Sequence, residues 1–246
     1  KMSSYKAETY GEAIADVYDS WYQNFDPTLA VDFLAELAQG GPALELGIGT
    51  GRVALPLQER GVEVHGIDAS PAMVAKLRAK PGGERIPVTM GDFADVAVNG
   101  QFKLIFICFN TLFALLTQEE QLRCFVNAAG HLQPKGFFAF ECFVPDLARF
   151  HGGQTLRTVS VGNNDVRIEA TQHDLANQRI ISQHIQITPQ GNHFYPVQIR
   201  YAWPSELDLM ARLACLRLVQ RWGGWEKSPY NSASVRHVSV YQLSCP

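Results

Sequence analysis

The stretch Ala43-Leu-Glu-Leu-Gly-Ile-Gly-Thr-Gly-Arg-Val53 decides the fold, because an apolar start is followed by three closely spaced glycines. This pattern predicts a buried parallel strand, then a tight loop, then a helix. Glycine has no Cβ, so the loop backbone can come close to a ligand. We therefore expect this loop to form the floor of a ligand-binding site.

The spacing of the glycines and the acids around them indicate which ligand binds. A dinucleotide fingerprint reads G-x-G-x-x-G, whereas this loop reads Gly47-x-Gly-x-Gly51 and has Arg52 in place of the third glycine. Glu45 would repel a pyrophosphate but attract an ammonium or sulfonium group. Asp68 follows the apolar run 62–67 and is placed to accept hydrogen bonds from ribose hydroxyls. Together these features predict S-adenosylmethionine as the ligand.

Three motifs in order, Glu45-Leu-Gly-x-Gly-x-Gly51, Gly66-Ile-Asp-Ala-Ser-x-x-Met73 and Gly91-Asp-Phe93, resemble the cofactor motifs of class I S-adenosylmethionine-dependent methyltransferases. The resemblance covers the chain from about Tyr10 to Phe143. It implies that Asp92 accepts a hydrogen bond from the adenine amine, with apolar side chains flanking the ring. The cofactor-binding residues predicted in this way are Tyr22, Glu45, Gly47, Gly49, Gly51, Arg52, Asp68, Ala69, Met73, Asp92, Phe93 and Phe109.

Several of these assignments have an ordinary structural alternative. A helix methionine such as Met73 usually fills the core, and Asp92 is also suited to cap a turn. Either Arg52 or Tyr22 is expected to hold the cofactor carboxylate, with Glu45 on its ammonium side.

Residues Tyr10 to Phe25 have apolar and aromatic side chains at helical spacing, which predicts an amphipathic helix. Packing on the core accounts for much of that face. Tyr10-Gly-x-x-Ile-Ala-x-x-Tyr18-Asp19 also resembles the start of the methyltransferases that dimethylate deoxyamino sugars of macrolides. In that group the helix covers the cofactor and a tyrosine matching Tyr10 lies beside the acceptor amine. Tyr10 is therefore a candidate catalytic residue and Tyr18 a candidate acceptor contact.

The end of the apolar run Phe102 to Phe109 bears on the acceptor. Enzymes that methylate bases or glutamine amides have an acid or Asn, two prolines and an aromatic residue there, and this chain has Asn110-Thr-Leu112. Methylation of base amines is thus disfavoured. Phe113 is a candidate acceptor contact, while Ala114 stands where the amino-sugar enzymes have a histidine, so their substrate is not implied. Glu141, at the tip of the predicted strand 137–142, is the second candidate catalytic residue, with burial against a positive partner as the alternative.

From about Gly153 the side chains alternate, which predicts an antiparallel insert of three or four strands. Arg200 and Trp203 are candidate acceptor contacts there, and a structural sheet or a homodimer surface is the alternative. The expected fold is α/β, a Rossmann-like seven-stranded sheet, mostly parallel with an antiparallel last strand, plus this insert after the fifth strand. The single predicted domain comprises a helical lid (1–40), a cofactor-binding core (41–150), the insert (153–203) and a C-terminal helix and strand pair (204–246).

Composition excludes several classes of partner. The 246 residues are 46% hydrophobic, which suits one substantial core, and a net charge of −3 offers no attraction to nucleic acid. No apolar run approaches the ~20 residues of a membrane span, and no secretory signal is evident, so a cytoplasmic protein is expected. The five cysteines form no C-x-x-C pair and the histidines no ligand pattern, so we expect reduced thiols and no metal.

The sequence thus predicts methyl transfer from S-adenosylmethionine to a nitrogen or oxygen of a small molecule, with S-adenosylhomocysteine as product. A natural product or a sugar is the kind of acceptor implied. Two other hypotheses remain: a non-catalytic cofactor-binding regulator or partner subunit, and a nicotinamide-dependent oxidoreductase.

Overall fold

The computed structural model describes residues 5–95 and 98–244, and its strands follow the predicted apolar and alternating runs. In chain order the strands are β1 (Ala43–Leu46), β2 (Val64–Asp68), β3 (Val88–Met90), β4 (Phe102–Ile107), β5 (Leu132–Phe143), β6 (Gln154–Val161), β7 (Val166–Asp174), β8 (Arg179–Thr188), β9 (Gly191–Arg200), β10 (Leu216–Trp222) and β11 (Arg236–Leu243).

The larger sheet has the strand order β10-β11-β5-β4-β1-β2-β3. Neighbours from β3 to β5 are parallel, whereas β11 runs antiparallel to both β5 and β10. The predicted α/β sheet with an antiparallel last strand is therefore confirmed. From β1 the chain moves outward to β2 and β3, and β4 then pairs on the other side of β1. In such sheets ligands bind in the crevice outside the carboxyl ends of the strands where the order reverses, here β1 and β4.

Helices cover both faces of this sheet, which is why β1 is buried along its whole length. They are α1 (Thr9–Trp21), α2 (Thr28–Ala38), α3 (Ala54–Glu59), α4 (Pro71–Arg78), α5 (Gln118–His131) and α6 (Pro204–Leu213). The first helix is shorter than predicted, because the chain leaves it after Trp21. Phe25, expected within the helix, instead packs its ring edge-on against Phe109, with centroids 4.9 Å apart.

The predicted antiparallel insert is present as a separate four-stranded sheet in the order β6-β7-β8-β9. Its inner face packs on α1, where the ring of Tyr195 lies edge-on against Trp21 at 4.7 Å. The amide N–H of Gln198 donates to the Tyr5 hydroxyl at 3.2 Å, so the N-terminal segment is also attached to β9. The insert therefore borders the lid helix rather than lying apart from the core.

The fifth strand begins earlier than the predicted strand 137–142, because it includes Pro134 and Gly136. The structure has one strand from Leu132 to Phe143, with Lys135 in the left-handed region (φ 61°) and a register shift against β4 between Phe102 and Leu104. The proline and glycine lie in a β-bulge, because the pairing of β5 with β4 resumes on the other side of them.

Two hydrophobic clusters lie on the opposite faces of the large sheet, one beneath α5 and α6 and one beneath α2 and α3. Cys108, Cys124 and Cys142 belong to these clusters as buried thiols, while Cys245 lies outside the described residues. Over residues 5–95 and 98–244, no helix has the length and apolar character needed to cross a membrane.

Candidate active site

The glycine loop after β1 has the conformation that the sequence predicts. Gly47, Gly49 and Gly51 all have positive φ angles, of 77°, 55° and 78°. A Cβ on Gly47 would lie 2.5 Å from a methyl carbon of Thr111, and one on Gly51 would lie 2.4 Å from a methyl carbon of Leu77. Glycine is thus required at these two positions both for backbone conformation and for space.

A cavity of about 270 Å³ opens above this loop at the carboxyl ends of β1, β2 and β4. Most of the predicted cofactor-binding residues line it, namely Glu45, Gly47, Gly49, Arg52, Asp68, Ala69, Met73, Asp92, Phe93 and Phe109. Gly51 does not, because it faces Leu77 beneath the loop. We call this space the cofactor chamber.

Glu45 is the buried acid of the cofactor chamber. Only 3% of its surface is exposed, and its Oε2 has no hydrogen-bond partner in the described part of the chain. Burial, and then the neighbouring Asp68 charge, hold the pKa of Glu45 well above its ordinary value. An ammonium group in the chamber would supply the missing partner, so this orphaned oxygen fits S-adenosylmethionine.

Asp68 ties the loop to the next helix. Its Oδ2 accepts from the Gly49 amide N–H at 2.7 Å, and its Oδ1 accepts from the Ser70 amide N–H at 2.8 Å. Burial raises the pKa of Asp68, while these amide hydrogen bonds oppose the rise. A carboxylate offers about four acceptor positions, so Asp68 can still accept a hydrogen bond from a ribose hydroxyl.

Asp92 caps a turn and also faces the cofactor chamber. Its Oδ1 accepts from the Ala94 amide N–H at 2.9 Å, which is the capping role, and it also lines the cofactor chamber. Burial raises the pKa of Asp92, with the Ala94 amide opposing the rise.

Helix α1 forms the roof of the cofactor chamber. Polar side chains that were not predicted as site residues hold it in place. Glu12 accepts from the Ser70 hydroxyl at 2.7 Å and from the Ala72 amide N–H at 2.9 Å. Asp19 accepts from the Thr50 hydroxyl at 2.7 Å and pairs with Lys80 at 2.7 Å. The roof is thus attached to both the glycine loop and α4, which agrees with a lid.

A second cavity, of about 360 Å³, adjoins the first. It is mainly aromatic, and its lining residues are Tyr10, Tyr18, Tyr22, Phe25, Arg52, Phe109, Asn110, Thr111, Glu141, Phe143, Val235 and Arg236. Tyr10, Tyr18, Arg52, Phe109 and Thr111 line both cavities and form the wall that they share. We call the second cavity the acceptor chamber.

Arg52 lies at the shared wall inside a cage of aromatic rings. Its guanidinium carbon is 4.7 to 5.7 Å from the ring centroids of Tyr18, Tyr22, Phe25 and Phe109, a distance at which cations are attracted to ring faces. It also donates to the Tyr22 carbonyl oxygen at 3.3 Å. Arg52 and Tyr22, the two alternatives for the cofactor carboxylate, therefore lie side by side, and Arg52 alone of them borders the cofactor chamber.

Phe109 reaches the shared wall through an unusual backbone turn. Phe109 and Asn110 have φ angles of 56° and 66°, which lie in the left-handed region that residues other than glycine seldom adopt. Glu141 accepts from the Phe109 amide N–H at 3.3 Å, and Asn110 Oδ1 accepts from the Phe143 amide N–H at 2.6 Å. Strain of this kind persists where the surroundings fix it, and it is concentrated at functional sites.

Glu141 lines the acceptor chamber beside a positive partner, Arg236. It is 4% exposed, and its Oε1 is 3.4 Å from Nη1 of Arg236. Arg236, which opens the final strand, was not among the residues predicted from the sequence. The antiparallel pairing of that strand with β5 places Arg236 opposite Phe143, close to the strand tip that carries Glu141.

Known methyltransferases resemble this chain in sequence and in structure. Residues 43–136 match a methyltransferase domain family. The structure of the CcbJ methyltransferase from Streptomyces caelestis is 41% identical in sequence with a TM-score of 0.92, covering 98% of this chain and 100% of that one. The chain belongs to the class I S-adenosylmethionine-dependent methyltransferases. It is therefore an enzyme, which removes the two hypotheses of a non-catalytic module and a nicotinamide-dependent oxidoreductase.

Two further methyltransferases share less sequence with this chain. The cypemycin N-terminal methyltransferase of a Streptomyces species is 29% identical over 196 residues, which are 79% of this chain and 80% of that protein. CalS10, an amino pentose methyltransferase from Micromonospora echinaspora solved with S-adenosylmethionine bound, is 18% identical with a TM-score of 0.65, covering 98% and 99% of the two chains. At that identity the likeness concerns the fold.

Three predicted acceptor contacts of the methyltransferase need correction. Arg200 is buried among polar partners, donating to Gln121 Oε1 at 2.6 Å and pairing with Glu206 at 2.7 Å, away from both chambers. Trp203 lies at the start of α6 and is 39% exposed. Phe113 is fully buried behind Phe143, at 5.0 Å between centroids. The first two were misplaced because the insert ends against α5 and α6 rather than over the acceptor chamber.

The tyrosines of the shared wall are neutral phenols. Burial, followed by the neighbouring Tyr22 and Tyr18, raises the pKa of Tyr10 well above its ordinary value. Burial likewise raises the pKa of Tyr18 to about 12, with the Arg52 charge opposing the rise. The two hydroxyls can accept or donate hydrogen bonds, but neither is a phenolate at neutral pH.

The pKa of Glu45, raised by burial and by the Asp68 charge, predicts that cofactor binding tightens as the pH rises towards that pKa. At pH values below the raised pKa the free methyltransferase holds Glu45 protonated, whereas the ligand ammonium favours the ionised carboxylate. Binding therefore releases a proton there, and the affinity rises until the free carboxyl ionises unaided. Calorimetric titration with S-adenosylhomocysteine in buffers of different ionisation enthalpy counts this proton. Glu45→Gln should abolish its release, and an unchanged release in that variant would assign it to another group.

Proposed function

We propose that the methyltransferase transfers the methyl group of S-adenosylmethionine to an amine nitrogen of a small molecule and releases S-adenosylhomocysteine. The observation that supports this most is the pair of adjoining chambers, one around Glu45 and Asp68 and one around Glu141, with a common wall. A cofactor in the first chamber and an amine in the second would meet at that wall. The volume of about 360 Å³ and the net charge of −3 favour a small acceptor over a nucleic acid.

The reaction needs alignment more than acid–base chemistry. The amine lone pair attacks the methyl carbon in line with the sulfur, a C–N bond forms, the S–C bond breaks, and its electron pair stays on sulfur. The sulfonium becomes a neutral thioether, and the methylated ammonium then loses a proton to water. Positioning the two reactants and excluding water are the contributions expected of the enclosed aromatic wall.

The chemistry of the acceptor chamber favours nitrogen over oxygen. A hydroxyl acceptor must lose its proton for fast attack, and the tyrosines of the shared wall are held neutral. Glu141 is the carboxylate lining the acceptor chamber, and such a group attracts an ammonium and accepts from an amine N–H. The cypemycin N-terminal methyltransferase also modifies a nitrogen, according to its name, which supports the same assignment.

In this proposal each residue has a defined role. Glu45 binds the cofactor ammonium and Arg52 its carboxylate, Asp68 the ribose and Asp92 the adenine amine. Tyr10 accepts from the acceptor amine so that the nitrogen lone pair points at the methyl group, and Glu141 attracts the amine into the chamber.

The test uses matched pairs of acceptors, each an amine and its hydroxyl analogue, incubated with the purified enzyme and S-adenosylmethionine. We expect a mass gain of one methylene on amines, with stoichiometric S-adenosylhomocysteine. Methylation of the hydroxyl members with the amines unreacted would refute the assignment of nitrogen.

The role of Asp68 gives a prediction of its own. Asp68→Ala should weaken S-adenosylhomocysteine binding by ~1–3 kcal/mol, because charge-assisted hydrogen bonds to the ribose are lost. Titration calorimetry measures the change. Asp165→Ala is the control, since it removes a carboxylate of the insert that lines neither chamber, and its affinity should match the wild type. Equal affinities in Asp68→Ala and the wild type would show that Asp68 does not bind the ribose.

We also propose that two copies associate through the outer face of the small sheet. Leu156, Val161, Ile181, Ile187 and Phe194 are 40 to 73% exposed on that face. The register rows that cross its centre, from Leu156 to Pro196 and from Thr158 to Phe194, contain only uncharged side chains. An apolar, uncharged face matches a second copy of itself across a two-fold axis.

Light scattering on the purified enzyme should give twice the mass of one chain. Leu156→Asp should halve that mass, whereas Leu175→Asp, at an exposed turn of the same sheet, should not. A monomeric wild type at micromolar concentration would contradict the proposed dimer.

A further inference from the structure

The pairing of Arg236 with Glu141 gives the acceptor chamber two opposite charges side by side. Both side chains line the chamber, and Nη1 of Arg236 is 3.4 Å from Oε1 of Glu141. The carboxylate is buried, whereas 49% of the arginine side chain is exposed. The positive head therefore lies on the solvent side of the chamber and the negative head on its inner side.

This ion pair is poorly explained as a contribution to stability. The contact of 3.4 Å is long for a charge-assisted hydrogen bond, and the half-exposed Arg236 head competes with water, so the pair adds little to the stability of the fold. In the described part of the chain the Arg236 guanidinium makes this one hydrogen bond, although it can donate five. Most of its donors are thus available to a ligand in the chamber.

Arg52, the other arginine that lines the acceptor chamber, has different contacts. Arg52 sits at the shared wall among four aromatic rings, where the proposed function gives it the cofactor carboxylate. Arg236 lines only the acceptor chamber. Its charge is consequently directed at the acceptor rather than at the cofactor.

Building on the proposed function, we infer that the acceptor is an α-amino carbonyl compound, such as an amino acid amide or a peptide with a free amino end. Its amine lies towards Glu141 and Tyr10, and its carbonyl oxygen accepts from Arg236. In such a compound only the α-carbon and the carbonyl carbon separate the nitrogen from the oxygen. The neighbouring side chains of Glu141 and Arg236 can therefore bind the amine N–H and the carbonyl oxygen at the same time. Arg236 is then a specificity-determining residue.

The experiment compares two probes of similar shape, alaninamide and isopropylamine, which differ in the carboxamide group. For wild type, Arg236→Gln, Arg236→Lys and the distant control Arg217→Gln, kcat/KM is measured with each probe, together with the affinity for S-adenosylhomocysteine. The ratio of the two kcat/KM values is compared between proteins, so differences in intrinsic amine reactivity cancel.

We expect the wild type to prefer alaninamide, and Arg236→Gln to lower the ratio by ~10-fold or more, because a charged hydrogen bond to the carbonyl is lost. Arg236→Lys should retain part of the preference and Arg217→Gln all of it, with cofactor affinity unchanged in every variant. An equal ratio in wild type and Arg236→Gln, with both amines methylated, would overturn the inference while leaving the proposed function intact. Reaction with hydroxyl compounds alone would overturn both.

Discussion

Gly47→Ala is expected to weaken S-adenosylmethionine binding by ~10- to 100-fold or more, the largest change that a single added methyl group should cause in this enzyme. Gly47 has a φ of 77°, which costs a residue with a Cβ ~1–2 kcal/mol. The new Cβ would also lie 2.5 Å from a Thr111 methyl carbon, so the loop or the turn after β4 must move. Either movement changes the floor of the cofactor chamber.

Gly40→Ala is the matched control. Gly40 has a φ of 76°, and a Cβ there would meet no atom within 4 Å. Both variants carry the same backbone strain, and Gly47→Ala adds the clash with Thr111. Only Gly47→Ala should lose affinity in calorimetric titration, and comparable affinities in the two variants would show that the loop floor does not contact the cofactor.

Tyr10→Phe is expected to lower kcat by ~10- to 100-fold and to change cofactor affinity by less than ~2-fold. Tyr10 lines both chambers, and burial raises the pKa of its hydroxyl, which stays a neutral phenol. Without it the acceptor amine loses the hydrogen bond that orients its lone pair, while the cofactor keeps its own contacts. Single-turnover rates with a saturating amine, together with titration of S-adenosylhomocysteine, separate the two effects.

Tyr195→Phe removes a hydroxyl from a residue that packs on the same helix without lining either chamber, so its kcat should stay close to the wild type. If Tyr10→Phe lost affinity and turnover in equal measure, Tyr10 would act only as part of the lid.

The cofactor chamber was predictable from sequence because its parts follow local rules. A glycine loop after an apolar run, and acids that end the following strands, must converge at one edge of a parallel sheet. Glu45, Asp68 and Asp92 therefore lie together in the structure as the spacing implied. The resemblance to known methyltransferases predicted that the first helix covers the cofactor. The hydrogen bonds of Glu12 and Asp19 that hold this helix in place could not be predicted from the spacing of its apolar residues.

The acceptor chamber was harder to predict, because its residues come from distant parts of the chain. Arg236 meets Glu141 only through the pairing of β11 with β5, and the left-handed turn at Phe109 and Asn110 has no sequence signature. Arg200 was misassigned for a related reason. Its partners Gln121 and Glu206 belong to helices that the insert packs against, and no local pattern shows which face of an insert meets them.

The most direct test of the two-chamber account is a crystal structure of the enzyme with S-adenosylhomocysteine. We predict the adenine near Asp92, the ribose hydroxyls within hydrogen-bond distance of Asp68, the ammonium beside Glu45, and the sulfur facing the wall formed by Tyr10, Phe109 and Thr111. Density for the product with its sulfur turned away from the acceptor chamber, or bound outside the cleft above the glycine loop, would contradict the account.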